Sequence, residues 1–148
     1  MNVQDFLSLD DVAIGVAPLM KQKLLLHLAN KAGSRLGLPP DELFKELSKR
    51  EELGSTGVGD GVAIPHARFN QVDKPFGMLL RFRQPIEFGA LDEKPVDIVF
   101  LLLLPESANG GHLSALACVA RKLRKQAVIA GLRKAANAAE AFHLLASE

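Results

Sequence analysis

Apolar residues recur along this chain with two different periods. Near the N-terminus Val12, Ile14 and Val16 alternate with small residues, which predicts a short edge strand. From Leu19 the period lengthens. Met20, Leu24, Leu28 and Ala32 return at helical spacing, so a first helix is expected, opened by Pro18 in its first turn and ended near Gly33 or Gly37. Pro39-Pro40-Asp41-Glu42 opens a second helix, with Leu43, Phe44 and Leu47 on one face and a stop at Gly54. Short strands follow. Val62–Ile64 is one, and Phe76–Phe82 another, broken by Gln84-Pro85, with Ile86–Phe88 as its hairpin partner. Val96–Leu104 is apolar at nearly every position, the pattern of a strand covered on both faces at the centre of a sheet. A third helix follows Asn109-Gly110-Gly111, with Leu113, Leu116, Ala117, Ala120 and Leu123 as its buried stripe. Two shorter helices are expected at 127–135 and 138–145.

Helices before and after a run of strands predict an α/β fold, a single domain over 1–148, with a mixed parallel/antiparallel sheet and helices on both faces. Composition removes several classes of function. Eighteen basic and 17 acidic residues give a net charge of +1, without the basic face that nucleic acid requires. The single cysteine, Cys118, cannot close an internal disulfide and fits a reducing compartment; it reads as a small buried hydrophobe. The longest apolar run, Ile98–Leu104, is far below the roughly 20 residues of a membrane helix, and the N-terminus lacks a secretory signal. The expectation is a soluble cytoplasmic protein with no membrane insertion.

The chemistry concentrates in residues 54–68. Gly54, Gly57, Gly59 and Gly61 surround Ser55 and Thr56, then Val62-Ala63-Ile64 leads to Pro65 and His66. Glycines free the backbone, whereas proline stiffens it, so the histidine stands on a rigid strand-to-loop corner. Loop amides and hydroxyls at Ser55, Thr56 and Gly57 suit phosphate oxygens, and Ser55 and Thr56 serve equally well to shape the turn. Alone, a turn histidine more often only hydrogen-bonds. No Cys/His cluster has metal-ligand spacing, and neither a dinucleotide fingerprint nor a Walker lysine is present, so no metal or nucleotide cofactor is expected.

The run Ser55–Ala67, with Arg50-Glu51-Glu52-Leu53-Gly54 before it and Pro105 and His112-Leu113 after it, resembles the phosphorylation-site signature of enzyme IIA domains of the bacterial phosphotransferase system. The similarity is to the fructose/mannitol/nitrogen type and spans about residues 7 to 145. The Arg50–Gly57 lead-in is closer to the nitrogen type. The resemblance implies that His66 is a phosphohistidine nucleophile, fed by an HPr-like phosphocarrier protein. It makes His112 the second active-site histidine and Arg50 a phosphate ligand. Downstream it implies a cytoplasmic regulatory protein or, alternatively, a membrane permease served by a sugar-specific IIA subunit. A non-catalytic protein-binding module is the reading from another class; it would not need His66, Arg50 and His112 together. Arg68 reads as a plain surface residue, and His27 and His143 as structural. Two departures stand out. Ala67 puts no carboxylate directly after the histidine, and Gly110-Gly111 loosens the approach to His112.

Overall fold

The computed structural model describes residues 1–106 and 111–147, the side chains of 111–113 excepted. Two 3-10 turns, Val3–Asp5 and Leu9–Asp11, precede β1 (Val12–Val16), α1 (Lys21–Leu36) and α2 (Pro40–Glu52). Four strands in close succession follow: β2 (Gly57–Gly59), β3 (Val62–Ala63), β4 (His66–Phe69) and β5 (Phe76–Ile86). Then come β6 (Val96–Pro105), α3 (Gly111–Lys122), α4 (Gln126–Lys134) and α5 (Ala138–Ala146).

The sheet runs β1-β5-β6-β3-β2, and β4 also pairs with β6. β5 and β6 are antiparallel, while β1 is parallel to β5 and both β3 and β4 are parallel to β6. The expected mixed sheet is therefore present, with the apolar run as its central strand. Alternate residues of β6 serve two cores. Val99, Leu101 and Leu103 meet Leu24, Leu25, Leu28, Leu43 and Leu47 of α1 and α2. Ile98, Phe100, Leu102 and Leu104 meet Ala115, Val119, Ile129, Leu132 and Leu145 of α3–α5. Each fully buried aliphatic or aromatic side chain stabilises the fold by about 1.5–3 kcal/mol. With both faces covered, β6 is apolar except at Asp97 near its start, which pairs with Arg133 at 2.8 Å.

Several expectations need correction. The first helix begins at Lys21 with Met20 as its N-cap, so Pro18 lies ahead of it and does not open it. Gln84-Pro85 do not end β5, and Ile86–Phe88 is not a separate hairpin arm; β6 is the partner. Pairing shifts between Arg81 and Ile86, and a proline is tolerated in such an irregularity because no ladder donor is needed there. His66 does not begin a loop. It opens β4, which continues the lane of β3 along β6 after an interruption at Ile64-Pro65. The described buried stripe is Ala115 and Val119 on α3 and Leu123 just past its end, while Leu116 and Ala120 are only half-buried, Ala117 is exposed, and the Leu113 side chain lies outside the described residues. Cys118 is half-buried too, its Sγ 3.3 Å from the Met1 carbonyl oxygen. The end of α1 follows expectation: Gly37 takes a left-handed φ of 68° as its C-cap.

Candidate functional site

His66 lies where the C-terminal turn of α2 meets the exposed side of β4. Along β4 the side chains alternate, Ala67 and Phe69 facing the α1/α2 core while His66 and Arg68 turn outward. An open cleft of about 620 Å³ lies against them, bounded by Lys49, Arg50 and Leu53 of α2 and its end, by Leu104, and by Leu116 of α3. Glu46, Glu52 and Glu106 also line it.

Two contacts fix the imidazole. Nδ1 is 2.8 Å from the carbonyl oxygen of Ile64, which offers no proton, so Nδ1 carries the hydrogen and donates it. Nε2 then holds the lone pair, and Arg50 Nε donates to it across 3.3 Å. The guanidinium is anchored a second time, Nη1 donating to the Gly54 carbonyl at 2.8 Å. Pro65 contributes through its carbonyl, which accepts from the Leu102 amide at 2.9 Å and ties the chain just before His66 to the central strand. Burial is the main reason the His66 pKa lies below the ordinary 6.5, and the Arg50 charge lowers it further; the Ile64 carbonyl and the Glu51 charge act in the opposite direction. The ring is neutral near pH 7, the state in which Nε2 is nucleophilic.

The other candidates are distributed unequally around this centre. Arg50 is in contact with His66. His112 falls in the first turn of α3, and its side chain lies outside the described residues. Ser55, Thr56 and Gly57 do not line the cleft. The donors of Gly57 and Thr56 have other partners: the Gly57 amide bonds Ser55 Oγ at 3.0 Å, and both the amide and the hydroxyl of Thr56 bond the Glu51 carboxylate. Of the two readings left open for these hydroxyls, shaping the turn is the one these bonds describe. Among the described residues no group of three or more His, Cys, Asp or Glu side chains is arranged to hold a metal ion.

A model of the family described as "Phosphoenolpyruvate-dependent sugar phosphotransferase system, EIIA 2" matches residues 5–148. The chain belongs to that family. This EIIA 2 domain is 40% identical over 146 residues to a nitrogen regulatory protein of Bradyrhizobium diazoefficiens, with 99% of this chain and 95% of the relative aligned. It is 32% identical over 130 residues to a fructose-specific EIIA component of Haloferax volcanii, covering 86% and 83% of the two chains. The crystal structure of the nitrogen regulatory protein IIA-Ntr from Neisseria meningitidis matches with a TM-score of 0.91 at 34% identity, over 97% of this chain and 98% of that one.

In the EIIA 2 domain some cleft residues escape a sequence reading. Arg68 is on the cleft wall and not on a featureless surface. The available signal was its spacing: residues two apart in a strand share a face, and His66 was already singled out. Lys49 and Leu116 carried no comparable signal, because they join the site only through helix packing. His27 is half-buried in α1, its pKa lowered by burial and then by Lys31, and His143 is exposed on α5; neither lines the cleft. Among the described residues no helix is long and apolar enough to cross a membrane.

Proposed function

We propose that this EIIA 2 domain accepts a phosphoryl group on Nε2 of His66 from the phosphohistidine of an HPr-like carrier protein, and regulates cytoplasmic targets through its phosphorylation state. The observation that carries the reading is the pair of bonds on the imidazole. With Nδ1–H on Ile64, Nε2 is the basic nitrogen, and it faces a guanidinium in an open cleft.

The transfer follows from that geometry. As the carrier docks, Arg50 yields the Nε2 lone pair, which attacks the donor phosphorus. The donor's P–N bond breaks and its electron pair returns to the donor imidazole. No proton need leave His66, because Nδ1–H keeps its bond to Ile64. The P–N bond formed on Nε2 stays reactive, so the group can move on. Phosphoryl transfer relies on positioning and charge neutralisation, which Arg50 supplies bidentately and which the N-terminal turn of α3, with His112, reinforces. Leu53, 85% exposed, and half-buried Leu116 give the cleft an apolar rim for a protein partner.

The test is incubation with radiolabelled phosphoenolpyruvate and the general carrier proteins. Stoichiometric, acid-labile and base-stable label is expected, and none in His66→Ala. Label that persists in that variant refutes the assignment. A second reading draws on the fructose-specific relative: this domain would donate phosphate to a sugar permease. Deletion distinguishes the two. Loss of growth on one sugar, without a regulatory phenotype, decides for transport.

A further inference from the structure

Among the described residues the buried polar ones are Asp11, Glu51 and Thr56. Asp11 is matched by Arg35 and Ser8. Glu51 and Thr56 are partners of each other, and the pair lies behind the histidine. The Glu51 side chain, 5% exposed, receives Lys21 Nζ at 2.8 Å on Oε2. It accepts the Thr56 amide at 3.1 and 3.3 Å, and the Thr56 hydroxyl as well. The Thr56 carbonyl accepts the Ile64 amide at 2.9 Å, and the Ile64 carbonyl accepts Nδ1–H of His66 at 2.8 Å. Three successive hydrogen bonds, joined through the backbones of Thr56 and Ile64, thus link a buried carboxylate to the ring. On the far side of the same helical turn, Arg50 holds Gly54 and faces Nε2.

We infer that Glu51 is a positioning residue for phosphoryl transfer: through Thr56 and Ile64 it fixes the carbonyl that keeps the proton on Nδ1, and so keeps Nε2 the basic nitrogen of His66. The inference rests on the reading of His66 as the phosphoryl acceptor. Its chemical logic is that a ring nitrogen's protonation is set by the bond the other nitrogen makes. An imidazole with its proton on Nε2 has no lone pair facing the cleft and cannot attack there. Glu51 also occupies the place in the logic that a carboxylate directly after the histidine would take, since residue 67 is alanine. Neighbouring residues 50 and 51 project about 100° apart on a helix, which lets one serve the cleft and the other the interior.

The groups around the ring that titrate or carry charge are Glu46, Lys49, Arg50, Glu51 and Glu52 of α2, Arg68 of β4 and Glu106 beyond β6. Of these, Glu51 is the one that both reaches the ring through bonds and acts on its proton affinity, raising it.

The experiment uses the full chain as wild type, Glu51→Gln and Thr56→Val. Nitrogen-15 NMR of the unphosphorylated imidazole reads the tautomer, and single-turnover transfer from the phosphorylated carrier reads rate against concentration and pH. Glu51→Gln places an NH₂ where a carboxylate oxygen accepted. Both variants are expected to populate the Nε2–H tautomer and to slow the maximal rate about tenfold at unchanged half-saturation, in line with other residues that orient a reacting ligand from behind. In Glu51→Gln the acid limb of the pH profile also moves to lower pH, because a charge that favoured protonation is gone. A ring that stays wholly Nδ1–H at the wild-type rate in Glu51→Gln overturns the inference; if that variant fails to fold, the same result in Glu51→Asp, whose shorter side chain withdraws the carboxylate from the Thr56 amide, overturns it. The tautomer is read without phosphate, so a wild type that takes no label refutes the acceptor reading and leaves this result intact.

Discussion

Arg50→Lys isolates what the guanidinium does. The arginine spans two sites, with Nε 3.3 Å from His66 Nε2 and Nη1 2.8 Å from the Gly54 carbonyl. A lysine keeps the charge but has one compact ammonium, so it cannot hold Gly54 and point at Nε2 together. Once the phosphoryl group is on Nε2, the variant therefore lacks at least one charge-assisted hydrogen bond. Such a bond is worth about 1.5–3 kcal/mol. At 1.36 kcal/mol per decade, transfer should slow by about 10- to 150-fold. Stability should change little, because the Gly54 bond is solvent-exposed and surface changes usually cost within about 0.5 kcal/mol. Rapid-quench transfer from the labelled carrier gives the rate, and urea unfolding gives the stability. A lysine variant that transfers within about threefold of wild type would refute the two-site account of the guanidinium.

The folded-state pKa of His66 is depressed, chiefly by burial, so its unfolded ring protonates first as the pH falls. Its contribution to stability is therefore complete above about 6.5 and declines as the pH drops toward the folded value. His27 acts in the same direction, so the expected signature is a shallower acid limb of stability in His66→Ala, not a flat one, measured by denaturation from pH 7 downward. Transfer by the wild type should hold its neutral-pH rate to below the pH at which a free imidazole is half protonated. Gly57→Ala places a Cβ 2.7 Å from the Ala90 Cβ and 2.8 Å from its Cα, against backbone that cannot step aside. A loss of about 1–3 kcal/mol is expected in urea unfolding.

Periodicity exposed the layers of this fold because burial on one or two faces leaves a direct mark on residue type. The uninterrupted run Ile98–Leu104 marks a strand covered on both sides, and β6 is that strand. β4 escaped because Pro65 interrupts the lane and Arg68 makes the following residues look like loop, although Ala67 and Phe69 supply a buried face. Proline was read as an end at residues 65 and 85, and in both places the sheet continues past it. Within the site, glycines and a proline drew attention to His66, whereas Arg50 entered only through the resemblance of the surrounding run to a known signature. Glu51 was invisible. A glutamate near a helix end ordinarily faces solvent, and only the fold reveals that Lys21 and Thr56 enclose it. The serine and threonine of the loop offered two uses from composition alone, and the bond from Thr56 to a carboxylate five residues back carried no signal there.

The interruption at Pro65 has a consequence for solubility as well. Sheets with long open edges recruit other chains by adding strands. Here the outer lanes are β1 with five residues, β2 with three and β4 with four. β1 is kinked at Gly15, whose φ is 71° and where the register with β5 shifts. β2 is two-thirds glycine, and β4 follows a residue with no N–H and presents an arginine. None offers a foreign strand more than a few consecutive bonds. The break that brings His66 to the cleft thereby also shortens a border along which strand addition would otherwise proceed.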